Sequence, residues 1–501
     1  MYTLPTVKRN NTPAVLSSLL TPTPGIKKIE ILRTCLLLLI GLLVVSSPLS
    51  AQKVEDAGGG SYEKLIEFPE YDASDPEQFV ISSNSDWSAI NDGDKRIFWV
   101  EPGDYSGLGK IEITASGTEN ERRWLLYRNP DNPEEATHVW DIPASDRAVV
   151  AALYFLQADW WVVDRLEIGD KLNVTGCCPY SGHNSGSSDY NVFHRLMWED
   201  ATNNISRGAA KFGRLHSKDQ GHKKPIARHN TLQNSIIAGV EPDGPETDAV
   251  GIGVVQAEHT HIVKNEIFDA TDGIQTNQKD YTCKGTVIQD NDFYYTQAFA
   301  DHPESRIENS IDIKAHWSDP DPPADTSEWM LIENNRMRDY NLIMHWYNSN
   351  YIIVRNNKLW NIDHNSYSIT IHAKKEINYE HIWTGNTLYN CEGGFKPRHI
   401  DSTLFINNTF VDINNGSWAW FNEPQNNTVR NNNFINSDVG VSCRQDLDNI
   451  VEDNKYYQST PFDCESGNGL DIDRWGDLTF TFKRISGPIK VTLPNAQLNA
   501  R

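Results

Sequence analysis

Tyr351-Ile-Ile-Val-Arg-Asn-Asn-Lys-Leu359 sets a short β-rich run directly ahead of an Asn-x-apolar triplet, Asn357-Lys-Leu359. The triplet recurs as Asn230-Thr-Leu, Asn265-Glu-Ile, Asn291-Asp-Phe, Asn335-Arg-Met, Asn386-Thr-Leu, Asn408-Thr-Phe, Asn432-Asn-Phe and Asn454-Lys-Tyr. From 335 to 357, 386 to 408 and 432 to 454 the interval is 22 residues, and from 408 to 432 it is 24. The other intervals are longer, as if loops were inserted into a fixed rung. A period in the twenties built from short strands marks a solenoid, and no 3.6-residue apolar periodicity supports helical repeats. The pattern predicts an all-β, single-stranded, right-handed parallel β-helix. Asparagine suits the bend between strands because it tolerates left-handed backbone, so the Asn row reads as structural. Asp164-Arg-Leu and His194-Arg-Leu read as earlier copies of the same slot.

The rest of the chain is consistent with one solenoid. Its 501 residues would ordinarily imply more than one domain, but a repeat fold grows by adding units. The formal charge of −23 argues against general nucleic-acid binding. The apolar run Cys35–Val45 is short for a membrane span. Lys27, Lys28 and Arg33 precede it and Ser50-Ala51-Gln52 follows, which predicts a signal segment over 1–51 and export, a membrane anchor being the alternative. The expected layout is a cap over 52–94, the β-helix over 95–460 and a C-terminal cap or tail over 461–501. Beyond the signal, Cys177, Cys178, Cys283, Cys391, Cys443 and Cys464 permit disulfides whose pairing spacing cannot assign. A soluble monomer is expected.

The N-terminal part carries a resemblance. Pro102-Gly-Asp-Tyr105, then Ser116-Gly-Thr118, then a stretch from Leu156 through Asp159-Trp-Trp-Val-Val-Asp-Arg-Leu-Glu-Ile168 resembles the opening coils of pectin-lyase-like β-helix proteins. That superfamily includes lyases of acidic polysaccharides, polygalacturonases and sugar epimerases. The resemblance implies the fold over most of the chain; one scaffold hosts many chemistries, so it does not fix the activity.

Stacking the strands after each bend lines up one outward column: Asn277, Lys314, His345, His372, Arg398, Asn422 and Arg444, with Lys396 on the face of Arg398. Five of these seven can carry positive charge. Like charges this close repel, and a polyanion lying along the coils would relieve the repulsion; a solvated strand face is the plainer alternative. An acidic polysaccharide is the partner this implies. Uronate chains can be cut by β-elimination, which needs charge neutralisation at the carboxylate, a base for the C5 proton and an acid for the leaving oxygen. In the lyase branches of the superfamily a Lys or Arg acts as base and Ca²⁺ commonly grips the carboxylate. Glu308-Asn-Ser-Ile-Asp-Ile-Lys314 is similar to such lyase strands. The resemblance therefore implies Lys314 as base, His345 as acid and Arg398 as carboxylate clamp. Asp272, Glu308, Asn309 and Asp312 are hard oxygen ligands of the kind Ca²⁺ takes. An ion pair between Lys314 and Asp312 is the competing reading.

Where lyase strands carry an Arg one coil after the base, this chain has His345, and the paired-Asp and DPHD-type patterns of hydrolases and epimerases are absent. Long inserts over 291–335 and 230–265 suggest a cleft. Trp317, Trp346, Trp418 and Trp420 are candidates for sugar stacking, Trp418 equally for core. Lys211, within the basic stretch 207–229, is a candidate extension of the anionic subsite. The expected function is a secreted lyase of an acidic polysaccharide. The alternative is a non-catalytic carbohydrate-binding or surface protein, which needs the basic and aromatic stripe but no converging base.

Overall fold

The computed structural model describes residues 62–131, 138–175, 187–199, 208–213, 227–240, 249–278, 283–301, 307–315, 328–339, 343–346, 350–362, 369–372, 378–379, 381–398, 400–414, 416–418, 425–437, 447–462, 468–469, 479–484 and 487–492. These strands form a right-handed parallel β-helix, in which each turn of chain lays one strand beside its counterpart in the turn before. The first face is a sheet of 14 parallel strands running from Gln78–Ile81 through Ile97–Val100 to Ile450–Glu452. The second face stacks three-residue strands such as Ile236–Ala238, Glu266–Phe268, Asp292–Tyr294 and Arg336–Arg338. The third stacks longer ones, from Lys110–Ile113 to Phe395–Arg398. The parallel ladder thus begins ahead of residue 95 and reaches Asn468–Gly469, and an antiparallel pair, Thr479–Arg484 with Gly487–Thr492, lies beyond it. No helix among the described residues is long and apolar enough to cross a membrane.

Alternation decides what goes inside. On the first face Phe98, Leu125, Val163, Phe193, Leu232 and Ile262 share one register column and are buried. On the third face the inward column is Ile252, Ile274, Ile311, Ile343, Ile369 and Phe395. Stacking apolar side chains at about 4.8 Å intervals fills the core continuously. Trp418, bridged to Phe395, is 1 % exposed and packs edge-on against Phe395 and Phe405, so it belongs to this core.

The asparagine ladder forms, with two corrections. Asn335 donates its backbone N–H and its Nδ2 to Oδ1 of Asn357 at 2.9 and 3.0 Å, and Nδ2 also reaches Ile288 O at 2.8 Å. The same triad runs through Asn265, Asn291, Asn335, Asn357, Asn386, Asn408 and Asn432 to Asn454, satisfying each buried amide. Asn230 is not in that row. It stands at the opposite end of its first-face strand and pairs with Asn191; the rung of Asn265 is held in the preceding coil by Ser235. Asp164 and His194 likewise align with Gln233 and Val263, two residues ahead of the ladder slot. The second correction concerns backbone: the left-handed residue is the one before the ladder Asn, as at Lys264, Asp290, Asn334, Asn356, Asn407, Asn431 and Asp453. The ladder Asn itself provides amide bonds, and its neighbour makes the bend.

A strap crosses the outer side of the first face. Tyr62 N–H donates to Gln289 Oε1 at 3.0 Å, and Lys64 exchanges bonds with the Gln233 side chain at 2.8 and 3.0 Å. Glu63 pairs with Lys264, Phe68 stacks on His194, and Tyr71 packs edge-on to Trp99. The chain therefore runs back along the helix axis over successive coils. Beneath Phe68 the fully buried Asp164 carboxylate is met by Arg165 at 2.8 Å, Arg195 at 2.7 Å and His194 at 3.0 Å. Despite its burial, these partners hold Asp164 below the usual carboxylate range.

Candidate functional site

The third face positions most of the residues singled out above. Glycines on two of its coils lie against the backbone of the coil that follows. A Cβ on Gly273 would lie 2.7 Å from Ser310 O, and one on Gly394 would lie 2.0 Å from Ser417 O. Only glycine permits that approach, and it fixes the register of the residues that follow.

Register places Asn277 beside Lys314, Lys314 beside Trp346, Trp346 beside His372 and His372 beside Arg398. Over these five strands the expected column is in register, with one substitution. His345 is not in it: it pairs with Ile313 and Ile371, one residue out of phase, and Trp346 takes its place. A one-residue slip exchanges sheet faces, so His345 stands in the register position of the buried Ile313. Aligning the strands by their inward isoleucines, Ile311, Ile343 and Ile369, rather than by their last polar residue would have found this in the sequence. Trp317, Trp420, Asn422 and Arg444 lie outside the described residues.

A second column runs two residues earlier. Tyr154, Asn173, Lys211, Gly253, Gln275, Asp312, Met344, Thr370 and Lys396 are successive register partners. Lys211 is thus on the same face as Asp312, three coils away. Asn173, Lys211, Gln275 and Asp312 are all buried although their positions point away from the core. Asn173 and Gln275 carry no motif and were not legible as part of this column.

The four proposed metal ligands divide. Asp272 and Asn309 are register partners, and Asn309 Nδ2 donates to Asp272 Oδ1 at 2.8 Å. The other Asp272 oxygen accepts from Gln275 Nε2 at 3.0 Å. Asp312 lies three residues further along its strand, beside Gln275, and Glu308 is half-buried just before the strand. Among the described residues no three His, Cys, Asp or Glu side chains gather as a metal-holding group. Both oxygens of the Asp272 carboxylate thus accept from side-chain amides.

Two further outcomes concern chemistry elsewhere. Cys283 and Cys391 are buried, with Sγ of Cys283 3.4 Å from Val254 O and Sγ of Cys391 3.4 Å from Tyr389 O; the other cysteines lie outside the described residues. On the second face burial raises Glu266 to about 7, and the Tyr294 hydroxyl donates to it. Arg338 lies 3.9 Å over the Tyr294 ring, and Arg336 pairs with Asp292 at 3.1 Å.

No family model matches the chain, and no curated protein matches it. Among solved structures it is similar to a mannuronic acid specific polysaccharide family 6 lyase from human gut microbiota, at 13 % identity and TM-score 0.48, over 80 % of this chain and 90 % of that one. It is also similar to a PL6 family polysaccharide lyase from Pseudopedobacter saltans, at 12 % and 0.43, over 79 % and 97 %. A third is the Dettilon tailspike protein, at 13 % and 0.39, over 80 % and 68 %. At such values these likenesses carry no argument about chemistry. The class of the protein, a right-handed parallel β-helix, is defined by its own strand pairing.

Proposed function

We propose that this protein is an exported polysaccharide lyase that cleaves an acidic, uronate-containing polysaccharide by β-elimination along its third face. The observation that carries the reading is the register of Lys314, Trp346, His372 and Arg398 on four consecutive coils. Parallel strands lie about 4.8 Å apart, so the column presents three basic residues and an indole over roughly 14 Å, from Lys314 to Arg398. That pattern suits a chain of carboxylated rings better than a compact ligand. Export rests on the 35–45 apolar run with its basic lead.

Lys314 acts as a free amine and takes the C5 proton. The electron pair left at C5 forms the C4–C5 double bond, the C4–O bond breaks, and the leaving oxygen takes a proton from His372. The positive field of the column lowers the cost of charge building on the uronate carboxylate. Arg398 and Lys396 grip carboxylates further along the chain, Arg398 by its two-pronged geometry. Trp346 lies between the base and the acid, where an indole supports a sugar ring. The role assigned to His345 passes to His372, because only the latter shares the register of Lys314. Since Asp272 is already engaged by Asn309 and Gln275, the clamp is built from cations of the chain.

The test is a screen of purified protein on alginate, pectate, glucuronan and glycosaminoglycans, following the ultraviolet absorbance of the unsaturated product, with and without a chelator. Product formation that is lost in His372→Ala and persists with chelator supports the reading. Binding of these polymers without cleavage, weakened in Arg398→Ala, would make the protein a carbohydrate-binding module instead.

A further inference from the structure

A cleft of about 410 Å³ opens on the other side of the molecule, between the strap and one corner of the coils. Its floor is Trp124, Val162 and Val192, which are register partners on the first face. One wall is the strap from Lys64 to Glu67, where Leu65 stands 98 % exposed at the lip. The other wall is an aromatic stack built on left-handed residues of successive turns. Trp160 and Tyr190 lie 4.2 Å apart and Tyr190 and His229 4.7 Å, with planes within 7°. Arg122 covers the far end of the stack, 5.0 Å over Trp160, and donates to Tyr190 O at 3.2 Å.

Each feature narrows the ligand. The faces of Trp160 and Tyr190 are already covered by their neighbours, so the wall does not accept a flat aromatic ring between them. It offers ring edges. The charge is specific as well. Neither Lys64 nor Arg122 has a carboxylate ion-pair partner among the described residues, and Glu119 acts on Arg122 only through space. Partial burial, and then the Arg122 charge, hold the Lys64 ammonium below the ordinary lysine value. Two cations that repel across a cleft are stabilised by an anion between them. His229 adds no charge near neutrality, since burial and then His259 lower its pKa. Glu67 and Glu119 complete the lining as acceptors. Donor cations, acceptor carboxylates and an apolar floor together match a hydroxylated ring that bears one negative charge.

We propose that this cleft is a second binding site for an acidic saccharide, seating one uronate carboxylate between Lys64 and Arg122 with its ring over Trp124, Val162 and Val192. The choice of saccharide rests on the acidic-polysaccharide reading of the third face, whereas the site itself needs no cleavage. A polymer held at both places would be anchored away from the catalytic column and presented to it repeatedly.

The experiment uses the full chain carrying Lys314→Ala, so that no ligand is consumed. Trimers of mannuronate, galacturonate and glucuronate are titrated by calorimetry, and hydrogen exchange is read on the peptides covering 62–68 and 119–124. At least one acidic trimer should protect both peptides. Lys64→Gln should weaken that binding roughly tenfold, as expected for loss of one charge-assisted hydrogen bond, and Lys64→Arg should retain it. Arg122→Gln should act like Lys64→Gln; if it also lowers the melting temperature, the Lys64 pair alone decides. Adding Arg398→Ala should leave the protection intact, which separates this site from the third face. Three results would overturn the proposal: no protection by any acidic trimer, equal protection by maltotriose, or equal protection by inorganic phosphate at the same concentration.

Discussion

The first and third faces obey the same register rule and use charge in opposite ways. On the first face charges in the outward column meet opposite charges on the next coil: Glu333 meets Arg355 at 2.6 Å, and Arg430 meets Glu452 at 3.3 Å. Where Asp164 stands in that column, two arginines and a histidine close around it under the strap. On the third face the register brings Lys314, His372 and Arg398 to one side within four coils, with a tryptophan among them and no acid among these four residues. A solenoid repeats position, so whatever charge the sequence puts at one offset becomes a stripe. Alternating signs give ion pairs that hold coils together, and a run of one sign leaves a field for a ligand to neutralise. The contrast says where function and stability separate.

The strongest way to break the contrast is Lys314→Ala. Turnover on the cleaved polymer should fall by about 10²–10⁴, the usual contribution of a general base, with binding largely kept. Stopped assays for unsaturated product, alongside calorimetric titration, read the two separately. Near-normal turnover would remove Lys314 from the mechanism and with it the functional reading of the column.

Asp164→Ala tests the other face. Removing the shared acid leaves Arg165, 3 % exposed, and Arg195 without their buried counter-charge. Breaking a buried pair in this way typically costs about 3–5 kcal/mol. Urea denaturation should show that loss, while turnover per folded molecule stays unchanged. A loss of activity at full stability would mean that the strapped face takes part in catalysis.

Glu266 sharpens the comparison through pH. Its folded pKa, about 7, lies above the value of 4.5 expected when unfolded. Between those values the folded protein keeps a proton that the unfolded chain has lost. Stability from this group is therefore present at low pH and is lost as pH rises toward 7, by roughly 1–3 kcal/mol. Glu266→Gln should flatten the fall in denaturation midpoint between about pH 5 and 7. An unchanged slope would mean that Tyr294 and Arg338 offset the burial.

The smallest effect belongs to an exposed pair. Arg430 and Glu452 sit in the same first-face column, both about half exposed, and surface pairs contribute about 0–1 kcal/mol. Arg430→Ala should shift stability by no more than that. A larger loss would show that cross-coil ion pairs matter even where the strap does not cover them.

Much of this was legible in the chain as written. The 22-residue period and the Asn triplets specify a parallel β-helix because each coil needs one buried amide whose four hydrogen-bonding valences its neighbours satisfy, and asparagine alone supplies that shape repeatedly. Lys314, His372, Arg398 and Lys396 could be gathered on one face from strand alternation, since alternation is a property of the chain. Phase was also legible, through the spacing of the isoleucines, and what only the tertiary structure decided is cover. His345 and Trp346 exchange places because the buried isoleucines, not the polar residues, set register. Asn230 leaves the ladder because two corners of the coil use similar triplets. Asp272 closes on Asn309 and Gln275, and the strap runs from Tyr62 back to Tyr71 over coils up to 227 residues distant, as in the Tyr62–Gln289 contact. Contacts of that range depend on which coils the fold stacks, and no local pattern in the chain encodes them.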